Sequence, residues 1–330
     1  MCAMTLVEAA KYSNDILQVG VIEKLVYDDP ILLRLPFKEI KGNGLTYNVE
    51  SAMSGAQFYD VGDTWTESIS TVTQATAILR ILGGDADVDN FLKATRGDLQ
   101  DLMQEQINAK IKAIKDEFHQ ALFYGSNSAN AKQFDGLHAL ITSATAPYNN
   151  TVAVATTSGT PVLLSLERLE KAVDLCKDKA DLIVMTKLMK RYINKYLNGV
   201  GGVTKAEVQG KSVQTLFDVP VATDDRLSND ESCDLQYGTN EAGTAVYGHN
   251  HADGTGLGDD DNATSIFVLK FAPEACCGLQ QGLITIEKLG SLETKDAERV
   301  RIKWYVSLML QKIITCAKVS GVDPDGTVTA

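Results

Sequence analysis

The chain has 330 residues, 44% of them hydrophobic and 22% charged, with a formal net charge of −12. That length allows about two domains, each with its own core. The acidic balance argues against a surface that grips nucleic acid, which needs clustered Lys and Arg. No uninterrupted apolar run is long enough to span a bilayer. The opening residues, MCAMTLVEAAKYSNDIL, do not pair a basic segment with an apolar one, so no secretory signal is expected. Six cysteines, Cys2, Cys176, Cys233, Cys276, Cys277 and Cys316, form no CxxC and are expected to be free thiols in a reducing compartment.

Residues 1–42 read as an arm. Short helices are predicted over Leu6–Tyr12 and Ile16–Val26, followed by a turn at Asp28-Asp29-Pro30. Ile31, Leu32, Leu35 and Phe37 then form an apolar patch on a segment with little body of its own, expected to lie on something else. Gly42-Asn43-Gly44 opens a long β-hairpin. Leu45, Tyr47 and Val49 alternate on the outgoing strand, and Val72, Thr76 and Ile78 belong to the return. About twenty polar and small residues lie between, a length that in a compact domain is usually functional or disordered. Framed by β-branched strands, this stretch reads as an ordered arm. From 45 to 79 the hairpin carries four acids, Glu50, Asp60, Asp63 and Glu67, and no base.

The stretch DADVDNF follows. It starts like a calcium loop, but Asn90 and Arg96 stand where Gly and Glu are required. Asp85, Asp87 and Asp89 on an extended chain share one face, which reads as a polar face for basic partners or solvent. The clearest helix is Asp98–Tyr124, with Leu99, Leu102, Met103, Ile107, Ile111, Ile114, Phe118 and Leu122 at helical spacing and Gly125 past its end. At 1.5 Å per residue it is about 40 Å long, and its apolar stripe needs cover along that whole length.

From 134 the texture becomes α/β. A loop is predicted over 142–160, then a helix from Ser165 to Lys179, a buried strand DLIVMT, a helix KLMKRYINKYLNG, a flexible connection VGGVTKAEVQGKS and a strand VQTLFDVPVAT. Residues 224–264 are loop-rich, and their polarity points them outward. Three strands close the chain: SIFVLKF, LITIEKL and RVRIKWYVSLMLQKII. The last alternates early and is apolar on both faces later, as a strand covered twice over part of its length would be. The end, DPDGTVTA, reads as a disordered tail.

Chemistry-bearing motifs are scarce. His249, His251, Asp253 and Asp259–Asp261 could bind a metal, but four glycines and no apolar anchor make 247–262 a solvated loop. There is no GxSxG, P-loop or GxGxxG, and His119 reads as a packing or surface position in the long helix. No catalytic, cofactor-binding or metal residue is assigned, and no enzyme activity is expected.

The order of elements resembles the major capsid protein of tailed bacteriophages with the HK97-like fold. The phrases TLVEAAKYSNDILQVGVIEKL, GGDADVDNF, FDGL and RIKWYVSLML, in that order, carry the resemblance across essentially the whole chain. It implies an α+β fold with an N-terminal arm (1–42), an extended E-loop hairpin (43–84), a P-domain with a spine helix (85–134 and 265–320), an α/β A-domain (135–264) and a tail (321–330). It implies a coat protein that assembles with itself into hexamers and pentamers of an icosahedral head around double-stranded DNA, without sequence-specific binding and without a membrane. A portal protein, a separate scaffolding protein and a decoration protein are the implied partners. The implied location is the virion, after assembly in the bacterial host cytoplasm. An encapsulin shell of the same fold is the alternative. The hairpin would lie over a neighbour's P-domain, so the expected intersubunit contacts are Tyr47, Glu50, Phe58, Tyr59, Asp60, Asp63, Trp65 and Glu67 on the E-loop, with Lys93, Arg96, Lys110, Lys112 and Lys115 opposite. No lysine lies between Lys41 and Lys93, so the E-loop lysine cross-link of some relatives has no counterpart.

Overall fold

The computed structural model describes residues 29–52, 54–67, 69, 71–91, 99–142, 150–153, 161–200, 204–208, 211–229, 231, 237–239, 245–247, 263–325 and 328–329. The two predicted arm helices, Lys93, Arg96, the side chain of Glu50 and the histidine-containing stretch 248–262 lie outside the described residues.

In chain order, helix α1 (Pro30–Arg34) leads to β1 (Phe37–Glu39). The hairpin β2 (Gly44–Ala52) and β3 (Thr71–Ile78) runs on into β4 (Arg80–Asp89). The spine helix α2 (Leu99–Tyr124) and α3 (Leu137–Thr142) follow, then β5 (Thr151–Ala153), α4 (Leu166–Leu175), β6 (Leu182–Met185) and α5 (Lys187–Val200). Next come β7 (Thr204–Val208), β8 (Lys211–Leu216), β9 (Val219–Thr223), β10 (Tyr237–Thr239) and β11 (Ala245–Tyr247). The chain closes with β12 (Thr264–Leu269), β13 (Cys276–Gln280), β14 (Thr285–Ser291), β15 (Ala297–Leu310) and β16 (Ala317–Val322).

One sheet is organised around β15. Its first ten residues pair antiparallel with β4 from Ala297↔Asp89 to Val306↔Arg80. β13 and β14 follow one another along β15, from Cys276↔Leu310 to Ser291↔Glu298. Gly282, at φ 80°, sits in the break between them, where a left-handed backbone suits glycine. β1 adds in parallel outside β13. The period of two then sorts β15: Val300, Ile302, Trp304, Val306 and Leu308 join Ile107, Ile111, Ile114 and Phe118 of the spine helix in one core. Trp304 is its centre, with Phe118 at 5.0 Å and Phe37 at 5.6 Å between ring centroids. The odd residues Arg299, Arg301 and Lys303 face outward, and Met309 joins Cys277, Leu279, Ile40, Ala77 and Leu79 in a second cluster. The base of the hairpin thus provides the second cover that the apolar end of β15 requires.

The other large sheet has the order β5-β16-β12-β6-β9-β8-β7. Its strands alternate between two cores. Ile183, Met185, Ile266 and Val268 pack with Leu169, Met189 and Ile193 of α4 and α5. Leu182, Val184, Phe267 and Leu269 belong to the spine-helix core instead. The two sheets therefore share a continuous interior.

Four sequence readings are corrected. The arm patch does not wait for another molecule: Ile31, Leu32, Leu35 and Phe37 are buried in the chain's own core. Not all strands after 265 return to the spine helix's sheet, because β12 and β16 lie in the seven-stranded sheet. The connection after α5 contains β7 and leads into β8. The tail is anchored: Val328 is buried, the Thr329 amide donates to the Leu164 carbonyl at 2.9 Å, and the Leu166 amide donates to the Thr329 carbonyl at 3.1 Å. A single tertiary cause, pairing with residues 162–166 far away in sequence, explains that last difference.

Candidate assembly interface

The hairpin is built as a rigid base with an uncovered end. β2 and β3 stay in register from Gly44↔Ile78 to Glu50↔Val72, and Thr46 and Thr76 share a cross-strand hydroxyl hydrogen bond of 3.2 Å. Leu45 and Tyr47 pack on the cluster containing Met309. Burial pushes the Tyr47 hydroxyl up to about 12. Tyr47 thus anchors the hairpin to its own body.

Beyond the base, the tip has local order of its own. Tyr59 stacks on Trp65 at 4.3 Å, and the Thr66 amide donates to the Tyr59 hydroxyl at 3.1 Å. The Asp60 amide donates to Asp63 Oδ2 at 2.7 Å, and the Val61 amide to Asp60 Oδ1 at 2.7 Å. These two carboxylates therefore shape the turn as well as charging it. Around this frame the apolar side chains face water: Phe58 is 107% exposed, Val61 102% and Trp65 77%. Glu67 is exposed beside them. Large apolar side chains exposed together on one turn, itself held by its own hydrogen bonds, make the tip the candidate contact surface.

The expected basic partners divide. Lys112 is exposed on the spine helix. Lys110 lies over Gly84, where its Cδ would be 2.7 Å from an added Cβ, and Lys115 Nζ is 3.7 Å from Asp29 Oδ2. Lys115 thus has a carboxylate partner within its own chain as well. The three carboxylates of β4 divide likewise. Arg301 makes two hydrogen bonds to Asp85, at 2.7 and 2.8 Å, and Arg299 two to Asp87, both 2.7 Å, while Asp89 accepts from the Phe91 amide.

Sequence reasoning missed a charged joint. His119 is buried between Asp29 and Asp224, with Nδ1 2.5 Å from Asp224 Oδ2 and Nε2 in contact with Asp29 Oδ2. Asp29 also caps α1, accepting from the Ile31 and Leu32 amides at 2.9 and 3.3 Å. Asp224 accepts from the Arg226 amide at 2.8 Å. Burial disfavours the imidazolium, but hydrogen bonds and charge from the two carboxylates outweigh it and push His119 up to about 9. Burial likewise pulls Asp29 upward, yet His119 and Lys115 hold it below the usual carboxylate range. The joint ties arm, spine helix and the loop after β9 at one point, at the side of a cleft of about 460 Å³ also lined by Lys112, Asp116 and Lys187. No local motif announces it, because its three members are about a hundred residues apart.

This architecture, a long hairpin on a spine helix and sheet with a second α/β sheet beside it, is similar to that of several solved structures. The SrpI encapsulin of Synechococcus elongatus PCC 7942 superposes with a TM-score of 0.60 at 16% identity, covering 91% of this chain and 89% of that one. The protein of a solved structure titled Mycobacterium phage Bobi gives 0.54 at 13%, covering 88% and 89%. The capsid of a native GTA particle gives 0.54 at 10%, with the same coverage. At these identities the likeness shows the fold, which is HK97-like. The family model described as Major capsid protein GP7 matches residues 14–165, a stretch that contains the hairpin and the spine helix. That match covers somewhat less than half of the 330 residues. Comparison with curated proteins gives no match.

Proposed function

We propose that this chain is a major capsid protein that assembles with itself into hexamers and pentamers of an icosahedral head enclosing double-stranded DNA, and that the hairpin tip is the element one subunit lays on the next. The observation that carries this reading is the tip itself: Phe58, Val61 and Trp65 stand in water on a turn ordered by Asp60, Asp63 and Tyr59. Covering them on a neighbour's P-domain removes that apolar surface from water, at about 25 cal/mol per Å². The acids Glu50, Asp60, Asp63 and Glu67 then set register against the neighbour's Lys112, Lys110, Lys93 and Arg96 more than they add strength. Chemistry is not part of this role. A portal protein and a separate scaffolding protein complete the head, and assembly takes place in the host cytoplasm.

An encapsulin shell is the second reading, because the SrpI encapsulin shares the fold. The family match to a major capsid protein favours the coat. The test is Phe58→Ser with Trp65→Ser. The double variant is expected to keep the thermal midpoint of the unassembled subunit and to lose rings and shells in electron micrographs. Normal shells from it would refute the role of the tip.

A further inference from the structure

The charge of this chain is segregated. Helix α5 carries Lys187, Lys190, Arg191 and Lys195 and no carboxylate. Residues 232–262 carry six carboxylates and neither Lys nor Arg. On α5, Lys187, Arg191 and Lys195 stand four residues apart, all exposed, on the side opposite the buried Met189 and Ile193. Like charges at that spacing repel one another along a helix. Lys187 is answered by Asp225 at 2.6 Å. Among the described residues, no carboxylate lies within ion-pairing range of Lys190, Arg191 or Lys195, and Arg191 sits 5.9 Å from the ring centroid of its neighbour Tyr192. The stretch 232–262 is flanked by Glu231 and Ala263, which pair with each other next to the start of β12. β12 runs antiparallel to β6, so that point lies at the end of the sheet where α5 begins. From there α5 carries these cations away, Lys195 lying about 12 Å along the axis from Lys187.

We propose that this line of cations is a docking surface for the acidic segment 232–262 of a second copy of the chain. The partner follows from charge complementarity: a row of cations that no described carboxylate of their own chain pairs with, Lys187 apart, meets a run of acids with neither Lys nor Arg on the next. One copy offers the cations and its neighbour the carboxylates, a head-to-tail contact of the heterologous kind that closes rings. The pairs fix the order and orientation of subunits around the ring, and because they are exposed they weaken as salt screens them. The inference rests on the ring-forming reading above and names the surface that reading leaves open.

The test is a charge exchange between two variants of the full chain. The first carries Lys190→Glu, Arg191→Glu and Lys195→Glu; the second carries Asp259→Lys, Asp260→Lys and Asp261→Lys. The first alone sets acids against acids and the second alone sets three lysines against the cations of α5, so each is expected to lose rings at least tenfold by negative-stain microscopy and sedimentation. Expressed together they are expected to recover rings with alternating subunits, hence even-membered ones. Assembly of either variant alone at the wild-type level overturns the proposal. So does failure of the pair to recover, which is the outcome if the acidic segment folds back on its own helix or if the cations bind nucleic acid. The neutral variant Arg191→Gln with Lys195→Gln guards against misfolding: its circular dichroism should match wild type while its rings weaken and lose their salt dependence, and unchanged rings there also overturn the proposal. Absence of rings from the wild-type chain under the same conditions counts against the ring-forming reading itself.

Discussion

Replacing His119 by Gln removes the charge of the joint while keeping one amide donor and much of the volume. The wild-type imidazolium has its pKa raised from 6.5 to about 9 between Asp29 and Asp224. At about 1.4 kcal/mol per pKa unit, that is about 3 kcal/mol of stability. A folded pKa above the unfolded one means the contribution is complete below pH 6.5 and is lost as pH rises through about 9. Breaking a buried pair by removing one partner costs about 3–5 kcal/mol, the same order. Urea unfolding of the unassembled subunit, followed by circular dichroism from pH 6 to pH 10, measures it. Lys318 contributes the opposite slope: burial lowers it from 10.5 to about 8, so its penalty disappears as pH rises through that range. Both proteins carry Lys318, so the difference between their curves isolates His119. That difference should be about 3 kcal/mol at pH 6 and close to zero by pH 10. A gap that does not change with pH would refute the charged joint.

Trp304→Ala empties the centre of the spine-helix core and should cost about 3–5 kcal/mol in urea unfolding, whereas Trp65→Ala at the uncovered tip should leave the subunit's stability unchanged. Gly278→Ala places a methyl 2.4 Å from the Phe37 ring and should destabilise by about 1–3 kcal/mol, with the loss appearing as a lower urea midpoint. Reversing Asp63 and Glu67 to Lys should leave a folded subunit that assembles poorly, seen by sedimentation; shells at the wild-type level would remove those acids from the interface.

The elements legible in the sequence were those with a long, clean period. The stripe from Ile107 to Leu122 gives the spine helix, found as Leu99–Tyr124, and the alternation from Ile302 to Leu310 gives β15. The hairpin was legible as well, because its strands are β-branched and its middle is not. β16 was not. Its sequence AKVSGV contains a lysine and a glycine, and it becomes a strand because β12 and β5 flank it and bury Lys318 against the His138 carbonyl at 3.4 Å. β13 was hidden in the same way, since Gly278 has no side-chain signal and is needed only because Phe37 lies on it. At the hairpin tip, the exposure of the aromatics was readable from a segment too polar to pack on itself. The packing of Tyr47 on its own body and the pairing of Lys115 with Asp29 were not readable, because their partners come from elsewhere in the fold.

The central claim is that this subunit is completed only by copies of itself. Electron microscopy of the purified wild-type chain at micromolar concentration, with sedimentation velocity on the same sample, tests it most directly. The account predicts closed shells or capsomer rings. A single monomeric species with no rings, at concentrations up to about 100 μM and at moderate salt, would contradict it.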